Sequence, residues 1–270
     1  MDLPDISAKY AFVYDLRSEE LLYANTELSQ SVYPASITKL FTTYVALQYL
    51  DPKYTITVGA ELDYVKWDAS VAGFQEGDRV RVEDLVYGAL LPSGCDASYI
   101  LAAAAGRKIL GKSSATAKQA ITAFLEECNR IAKAQGMKNT NITSPDGYHK
   151  ADHYISLQAM TVIGRLALEN ECIAQVVATT KYTMTYTNAD GESCSKLLQN
   201  TNKILQKTSK YYHSQAAGLK TGTTTEAGAC LIAAYKVEGG YILVGILGCE
   251  DNNARFSDAN ALFDAFYPYI

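Results

Sequence analysis

A long apolar helix in the first fifth of the chain constrains the fold more than any other feature. After Pro34, apolar side chains recur at helical spacing from about Ser36 to Leu50, and further apolar residues fill the opposite side. A helix that is apolar on most of its faces must be covered by other elements, because water would otherwise contact it. The sequence therefore predicts a buried central helix near the start of the chain.

Strand patterns lie towards both ends of the chain, and helical patterns fill the middle. The predicted strands are 10–14, 21–24, 181–187, 217–223, 230–237 and 241–248. Besides the central helix, the predicted helices are 82–91, 96–109, 114–136, 156–170, 171–178 and 255–267. This order predicts an α/β (α+β) fold, in which both chain ends build one antiparallel sheet flanked by helices and a mainly helical lobe is inserted.

These segments define two predicted lobes within one catalytic domain, residues 1–270. An α/β lobe would comprise residues 1–48 together with 180–270, and a helical lobe would comprise residues 49–179. No internal repeat or low-complexity linker separates them. A small-molecule site is expected in the cleft between two such lobes.

Composition excludes two classes of partner. The 270 residues can bury a full-sized core, and 48% apolar with 20% charged residues is typical of a globular protein. A net charge of −5 argues against binding to a nucleic-acid backbone, which requires clustered Lys and Arg. No apolar run approaches the roughly 20 residues of a membrane span. We therefore expect neither nucleic-acid binding nor a transmembrane segment in this chain.

The cysteines do not form a metal-binding pattern. They are widely spaced, contain no Cys-x-x-Cys pair and do not cluster with histidine, so we expect mostly buried free thiols, no metal and no cofactor. The six positions are Cys95, Cys128, Cys172, Cys194, Cys230 and Cys249.

The pattern Ser-x-x-Lys occurs twice, at Ser36–Lys39 and at Ser193–Lys196. The second copy lies in a polar stretch beside an Asp-Gly turn, so an exposed loop is its expected structure. The first copy opens the apolar helix, where a separation of three residues places both side chains on one face. Alternatively, Ser36 is a simple helix N-cap and Lys39 extends to solvent.

A nucleophile and its base would explain a lysine within an apolar helix. A serine hydroxyl is a weak nucleophile at neutral pH, and a neutral lysine amine beside it could take its proton. Burial of Lys39 and a second cation nearby, for which Lys220 is the candidate, would favour the neutral amine. Backbone N–H groups at the start of the helix could stabilise an oxyanion.

Two further short motifs could supply the remaining parts of an acyl-transfer site. Ser93-Gly94 precedes a predicted helix and forms a tight turn, from which Ser93 could relay a proton to a leaving amine. In Lys220-Thr221-Gly222 the cation and the hydroxyl could hold an anionic group, and the glycine would let a substrate backbone approach. Each motif alone is also typical of an ordinary turn.

Taken together and in this order, the motifs resemble the low-molecular-mass penicillin-binding proteins, specifically the serine-type D-Ala-D-Ala carboxypeptidases. The resemblance extends over nearly the whole chain. The segments that carry it are Tyr33–Lys39, Glu76–Asp78, Val82–Gly88, Leu91–Gly94, Met137–Thr140, Asp146–Gly147, His153–Tyr154 and Gly218–Gly222.

The resemblance implies a role for each motif residue. Ser36 would form an acyl-enzyme with the penultimate D-Ala, Lys39 would be its general base, and Ser93 would relay the proton. Lys220 and Thr221 would bind the terminal carboxylate of the substrate.

The resemblance also implies an oxyanion hole, formed by the backbone N–H groups of Ser36 and Thr223. One position departs from the family, because Cys95 stands where Asn is usual, and a thiol is a weaker donor and acceptor than an amide. This departure puts the rate of deacylation and the affinity for peptide in question. Relatives can also carry an arginine in the region that matches Asn200–Asn202, where this chain has none.

The expected function is removal of the terminal D-Ala from peptidoglycan stem peptides, with covalent binding of β-lactam antibiotics. The family works outside the cytoplasmic membrane, so we expect an extracytoplasmic protein, although Met1–Asp5 do not begin a signal peptide. The small β-rich domain and C-terminal anchor found in relatives are expected to be absent, because the chain stops at Ile270.

Three other functions compete with this prediction. A β-lactamase would need a carboxylate that activates the deacylating water, but no Glu-x-x-x-Asn segment precedes His153. A catalytically weak penicillin-binding or wall-sensing module would be consistent with Cys95. A cysteine hydrolase would pair Cys95 with a histidine, but no motif places one there, and we interpret His149, His153 and His213 as structural or surface residues.

Overall fold

The structure is a computed structural model that describes residues 3–270. Residues 1 and 2, which begin the predicted first lobe, lie outside the described residues. The strands are β1 Tyr10–Asp15, β2 Glu20–Ala24, β3 Ser31–Val32, β4 Thr55–Thr57, β5 Arg79–Arg81, β6 Ile155–Ser156, β7 Lys181–Thr187, β8 Ser193–Gln199, β9 Ala216–Thr224, β10 Gly228–Val237 and β11 Gly240–Cys249. The α-helices are α1 Thr38–Leu47, α2 Val82–Leu90, α3 Cys95–Ile109, α4 Ala117–Ala134, α5 Leu157–Glu169, α6 Glu171–Ala178 and α7 Ala254–Phe266.

The main sheet takes its strands from both ends of the chain. Its order is β2-β1-β11-β10-β9, and every neighbouring pair is antiparallel. Helix α5 contacts β10 and β11 from within the molecule, while α7 contacts the same two strands and belongs to a separate apolar cluster. The predicted fold class is confirmed. Strand β9 lies at the edge of this sheet, so one side of its backbone has no strand partner among the described residues.

Helix α1 is the buried centre that the apolar pattern predicted. Eight of its ten residues are buried, and it contacts all five helices from α2 to α6. It is shorter than the predicted 36–50, because a 3₁₀ turn over Ala35–Ile37 precedes it and the helical hydrogen bonding tightens after Leu47. Ser36 therefore lies in the 3₁₀ turn, immediately before the α-helix.

A second sheet of order β4-β5-β7-β8 contains a strand that the sequence did not predict. Residues 193–196, which we expected in an exposed loop, begin β8 and pair with β7. Leu198 is the one buried residue of this strand, so the alternation that identifies a half-buried strand is missing from its sequence. The expectation of a loop was wrong, but Ser193 and Lys196 are exposed as expected.

The second sheet also joins segments that the sequence assigned to different lobes. Strands β4 and β5 belong to the predicted helical lobe, whereas β7 and β8 were assigned to the α/β lobe. The pair β5–β7 links these two segments through Arg79 and Thr187. The division into two lobes stays a prediction, and this pairing favours a later boundary than residue 180.

Candidate active site

Ser36 and Lys39 are in direct contact at the head of α1. Lys39 Nζ donates to Ser36 Oγ over 2.8 Å, and the lysine side chain is fully buried. The residue that caps α1 is Ile37, and no side chain caps either the 3₁₀ turn or the helix. The alternative of a capping serine with a solvent-exposed lysine therefore does not hold.

Two further groups surround the Lys39 amine. The carbonyl oxygen of Asp146 accepts from Nζ over 2.8 Å, and Cys95 Sγ lies 3.4 Å from it. Gly147 allows this loop to approach, since its φ is +77° and a Cβ there would lie 1.9 Å from Ala35 O. The Lys39 amine is thus enclosed by a hydroxyl, a thiol and a backbone carbonyl, none of which carries a formal charge.

Ser93 and Cys95 follow one another across the turn between α2 and α3. Ser93 has a φ of +66°, in the left-handed region that few residues other than glycine adopt, and its carbonyl accepts from Ser70 Oγ over 2.7 Å. Cys95 is the first residue of α3, and burial raises the pKa of its thiol to about 11. Within residues 3–270, the Ser93 hydroxyl makes no hydrogen bond to Lys39 or to Lys220.

The edge strand β9 carries the third motif. Lys220 is 1% exposed, and its Nζ donates to the carbonyl of Thr221 over 3.0 Å. Burial, followed by the nearby basic side chains of Lys39 and Arg255, holds the pKa of Lys220 well below its ordinary value. Thr221 Oγ1 lies 2.6 Å from Thr201 Oγ1, which extends the row of hydroxyls at the strand.

Gly222 brings the edge strand against the nucleophile. A Cβ at this position would lie 3.0 Å from Pro34 O and 2.9 Å from Ser36 N. The distance to Ser36 N is shorter than real Cβ atoms show. The absence of a side chain therefore lets the backbone of β9 reach the turn that carries Ser36. The next residue, Thr223, is exposed and follows directly on the same strand.

The motif residues meet at one cavity of about 500 Å³. Its lining includes all the predicted site residues except the two buried lysines: Ser36, Ser93, Cys95, Thr221, Gly222 and Thr223. Each lysine is covered by residues of this lining, Lys39 by Ser36 and Cys95 and Lys220 by Thr221. A nucleophile, a buried amine and an open strand edge in one cavity are the parts of a serine acyl-transfer site.

Comparison with known proteins identifies this arrangement. A family model described as D-alanyl-D-alanine carboxypeptidase, peptidase family S11, matches residues 1–249. The chain belongs to this family. The predicted family, the serine-type carboxypeptidase class and the predicted function are confirmed, whereas the roles of individual residues stay predictions.

Relatives and solved structures extend the match over the whole fold. The D-alanyl-D-alanine carboxypeptidase of Streptomyces sp. strain K15 is 35% identical over 235 residues, covering 85% of this chain and 77% of the relative. The carboxypeptidase DacF of Bacillus subtilis is 28% identical over 97% of this chain, which spans 63% of DacF. The crystal structure of the Streptomyces K15 DD-transpeptidase has a TM-score of 0.89 at 30% identity, covering 99% of this chain and 100% of that one.

Arg255 is a residue of this cavity that the sequence did not indicate. It lies in the first turn of α7, and its Nη1 donates to Gly222 O over 2.9 Å and to Thr223 Oγ1 over 2.8 Å. Relatives in the family had suggested an arginine near Asn200–Asn202, but that segment supplies Thr201 to the cavity instead. The guanidinium thus comes from helix α7, which follows the motif residues in the sequence and packs against β10 and β11.

None of the three histidines forms a hydrogen bond with Ser36 or Cys95 within the described part of the chain. His153 is buried and bonded to Thr38, His213 lies beside Asp264, and His149 lines the cavity. Without an imidazole partner, and with the pKa of its thiol raised, Cys95 lacks what a cysteine nucleophile requires. The geometry therefore disfavours the cysteine-hydrolase alternative.

Neither a membrane-spanning helix nor a cluster of metal ligands occurs within residues 3–270. No helix in this range is long and apolar enough to cross a membrane. In the same range, no three His, Cys, Asp or Glu side chains come together as metal ligands would. All six cysteines are unpaired thiols, four of them buried.

Proposed function

We propose that this protein removes the terminal D-Ala from peptidoglycan stem peptides through an acyl-enzyme on Ser36. The observation that carries the proposal is the 2.8 Å contact between Ser36 Oγ and the amine of a fully buried lysine. In that position a neutral Lys39 takes the hydroxyl proton as Oγ attacks the carbonyl of the penultimate D-Ala. The Lys39 amine becomes an ammonium held by Asp146 O.

The edge strand and the 3₁₀ turn would stabilise the tetrahedral intermediate. The oxyanion lies between the backbone N–H groups of Ser36 and Thr223, which the close approach at Gly222 brings towards each other. The substrate backbone runs beside β9, whose outer edge is unpaired in the sheet. Ser93, which also lines the cavity, relays the proton from Lys39 to the nitrogen of the leaving D-Ala as the C–N bond breaks.

The carboxylate of the terminal D-Ala would meet two groups of the cavity lining, with a third basic group close behind them. Thr221 offers its hydroxyl and Arg255 its guanidinium, and the buried amine of Lys220 is hydrogen-bonded to the carbonyl of Thr221. A bound anion favours the charged form of Lys220, which burial and the neighbouring basic side chains disfavour in the empty site. Water then attacks the ester carbonyl, with Lys39 as base, and releases the shortened peptide from Ser36.

A penicillin places an amide carbonyl and a carboxylate in a similar arrangement, so Ser36 would open the β-lactam ring and remain acylated. Mass spectrometry after incubation with benzylpenicillin should show one adduct, located on the peptide that contains Ser36. The Ser36→Ala variant is the control and should show none. An adduct on Cys95, or on no residue, would refute the assigned nucleophile.

Release of D-Ala from a D-Ala-D-Ala peptide separates the proposed activity from its rivals. Turnover of the peptide with a stable penicillin adduct supports a carboxypeptidase. Rapid loss of the adduct indicates a β-lactamase, and a stable adduct without turnover indicates a weak penicillin-binding or wall-sensing module. The site of action would be the outer side of the cytoplasmic membrane, where the proposed substrate is located.

Transfer to an amine is a second candidate outcome of the same acyl-enzyme. The observation that favours it is the likeness to the Streptomyces K15 protein, whose crystal structure is that of a DD-transpeptidase. An added amino acid would then intercept the acyl group in place of water. Product analysis with and without glycine as acceptor measures the partition between hydrolysis and transfer.

A further inference from the structure

His153 is buried beneath the start of α1, and both of its ring nitrogens are engaged. The residue is 1% exposed. The backbone N–H of Thr143 donates to Nδ1 over 3.0 Å, and Nε2 lies 2.8 Å from Thr38 Oγ1. No step of the proposed reaction uses this imidazole.

The contact with Thr143 determines the tautomer of the ring. Because Nδ1 accepts a backbone N–H, it carries no proton, and the proton of the neutral imidazole is on Nε2. Nε2–H therefore donates to Thr38 Oγ1. Burial lowers the pKa of His153 to about 4, so the ring is neutral at pH 7.

These two hydrogen bonds join α1 to the loop that holds the catalytic amine. Thr38 immediately precedes Lys39, and Thr143 begins the loop whose carbonyl at Asp146 accepts from Lys39 Nζ over 2.8 Å. The ring of His153 therefore bridges the two backbone segments that determine where Nζ lies.

We propose that His153 is a positioning residue for Lys39, because its imidazole holds the loop over residues 143–147 at a fixed distance from the head of α1. The inference rests on the proposed roles of Ser36 and Lys39. The imidazole is hydrogen-bonded to neither of them, so it acts through Thr38 and through the loop that contains Asp146. Its effect is on the direction in which the amine faces Ser36 Oγ.

A matched pair of variants at Thr38 tests this role. Thr38→Val keeps the shape of the side chain but removes the acceptor for Nε2–H, whereas Thr38→Ser keeps the hydroxyl. In Thr38→Val we expect kcat for D-Ala release, and the rate of acylation by benzylpenicillin, to fall about tenfold or more, because proton transfer depends on alignment. KM should change less than about twofold, since Thr221 and Arg255 are untouched.

Thr38→Ser should restore most of the rate, to within about threefold of the unaltered protein. Equal losses in the two variants, wild-type rates in Thr38→Val, or a change confined to KM would overturn the proposal. His153→Gln is the second probe, because its amide can donate towards Thr38 but cannot reproduce the acceptor for Thr143. It should show the same fall in kcat at unchanged KM, and a wild-type kcat in this variant would also overturn the proposal.

Nitrogen NMR of the protein labelled with ¹⁵N-histidine provides a readout besides activity. The signal that disappears in His153→Gln should show Nε2 protonated and Nδ1 bare at pH 7. The opposite tautomer, or a charged ring, would overturn the proposal even if Thr38→Val does not fold. If the unaltered protein shows no adduct on Ser36, the proposed function fails instead, and the tautomer still reports on the bridge.

Discussion

The two Ser-x-x-Lys segments of this chain have the same spacing but opposite surroundings. Ser36 and Lys39 lie on one turn of helical structure, where a separation of three residues brings their polar atoms to 2.8 Å. Ser193 and Lys196 lie on the exposed strand β8, where a separation of three residues places side chains on opposite faces, about 10 Å apart along the strand. Secondary structure, and not spacing alone, therefore determines whether the serine and the lysine of the motif can react together.

The environment differs as strongly as the geometry. Lys39 is fully buried among neutral acceptors, whereas Lys196 is exposed and its amine packs against Gly73 in a surface loop. A lysine in water keeps its charge and cannot serve as a base at neutral pH. The comparison therefore predicts that all covalent chemistry is confined to the first segment.

Removal of the two lysine amines is the strongest way to break this comparison. Lys39→Met should lower the rate of Ser36 acylation by about three orders of magnitude, because a positioned base contributes roughly 10²–10⁴-fold. Lys196→Met is the matched control and should leave the rate unchanged. Acylation is measured with a fluorescent penicillin in stopped flow. A comparable loss in the control would contradict the division between the two motifs.

The pH dependence of stability should follow the titration of His153, which is buried beneath the first Ser-x-x-Lys segment. The pKa of His153 is about 4 in the folded protein, against 6.5 in the unfolded chain, with Asp146, Asp152, Lys150 and His149 around it. Between these two values the unfolded state binds more protons, so stability rises with pH across this window. The contribution of His153 to the free energy of unfolding, about 3 kcal/mol in magnitude, is fully present above pH 6.5 and is lost as the pH falls to 4.

Urea unfolding of the unaltered protein and of His153→Gln, from pH 4 to pH 7, measures this contribution. The glutamine variant should be less stable at pH 7 and should show a flatter dependence on pH. Lys196→Met, in the exposed second Ser-x-x-Lys segment, should keep the pH dependence of the unaltered protein. An equal slope in His153→Gln would show that other groups control acid unfolding.

The close approach of β9 gives the next largest effect. Gly222→Ala would place a methyl group 2.9 Å from Ser36 N, so the strand and the 3₁₀ turn must separate. We expect acylation to slow about 10–100-fold, since the oxyanion donors move apart. Gly111→Ala is the control: it too has a positive φ, of +60°, but nothing lies within 4 Å of its added methyl. It should lose some stability and no acylation rate.

Local signals in the sequence predicted one half of the site. The apolar periodicity around Ser36 and Lys39 indicated a buried helix, and burial of the lysine followed from it. The contact with Asp146 could not be predicted in this way, because a backbone carbonyl contributes no side-chain signal. Arg255 was missed for another reason: its position depends on how α7 packs against the sheet, which no local pattern encodes.

The fold shows the same division between local and tertiary information. Strands β10 and β11 of the main sheet were predicted because they are buried and apolar along most of their length. Strand β8 was missed because Leu198 is its one buried side chain, and its pairing partner β7 is what extends it. The turn over Ala35–Ile37 also escaped prediction, since no local pattern indicates a φ of +48° at Ala35 or the close approach of Gly147 to its carbonyl.

The smallest expected effect comes from replacing the cysteine that lies beside the Lys39 amine. Cys95→Asn would give the Lys39 amine, now 3.4 Å from the sulfur, an amide acceptor in place of a weak one, and would offer the substrate a strong donor. We expect the rate of D-Ala release to rise several-fold. This corresponds to an activation free energy lower by about 1 kcal/mol, the net contribution of one hydrogen bond. Cys194→Asn, inside the second Ser-x-x-Lys segment, is the matched control and should leave turnover unchanged. A fall in turnover for Cys95→Asn would mean that the cavity fits the thiol, and that the thiol contributes to the orientation of Lys39.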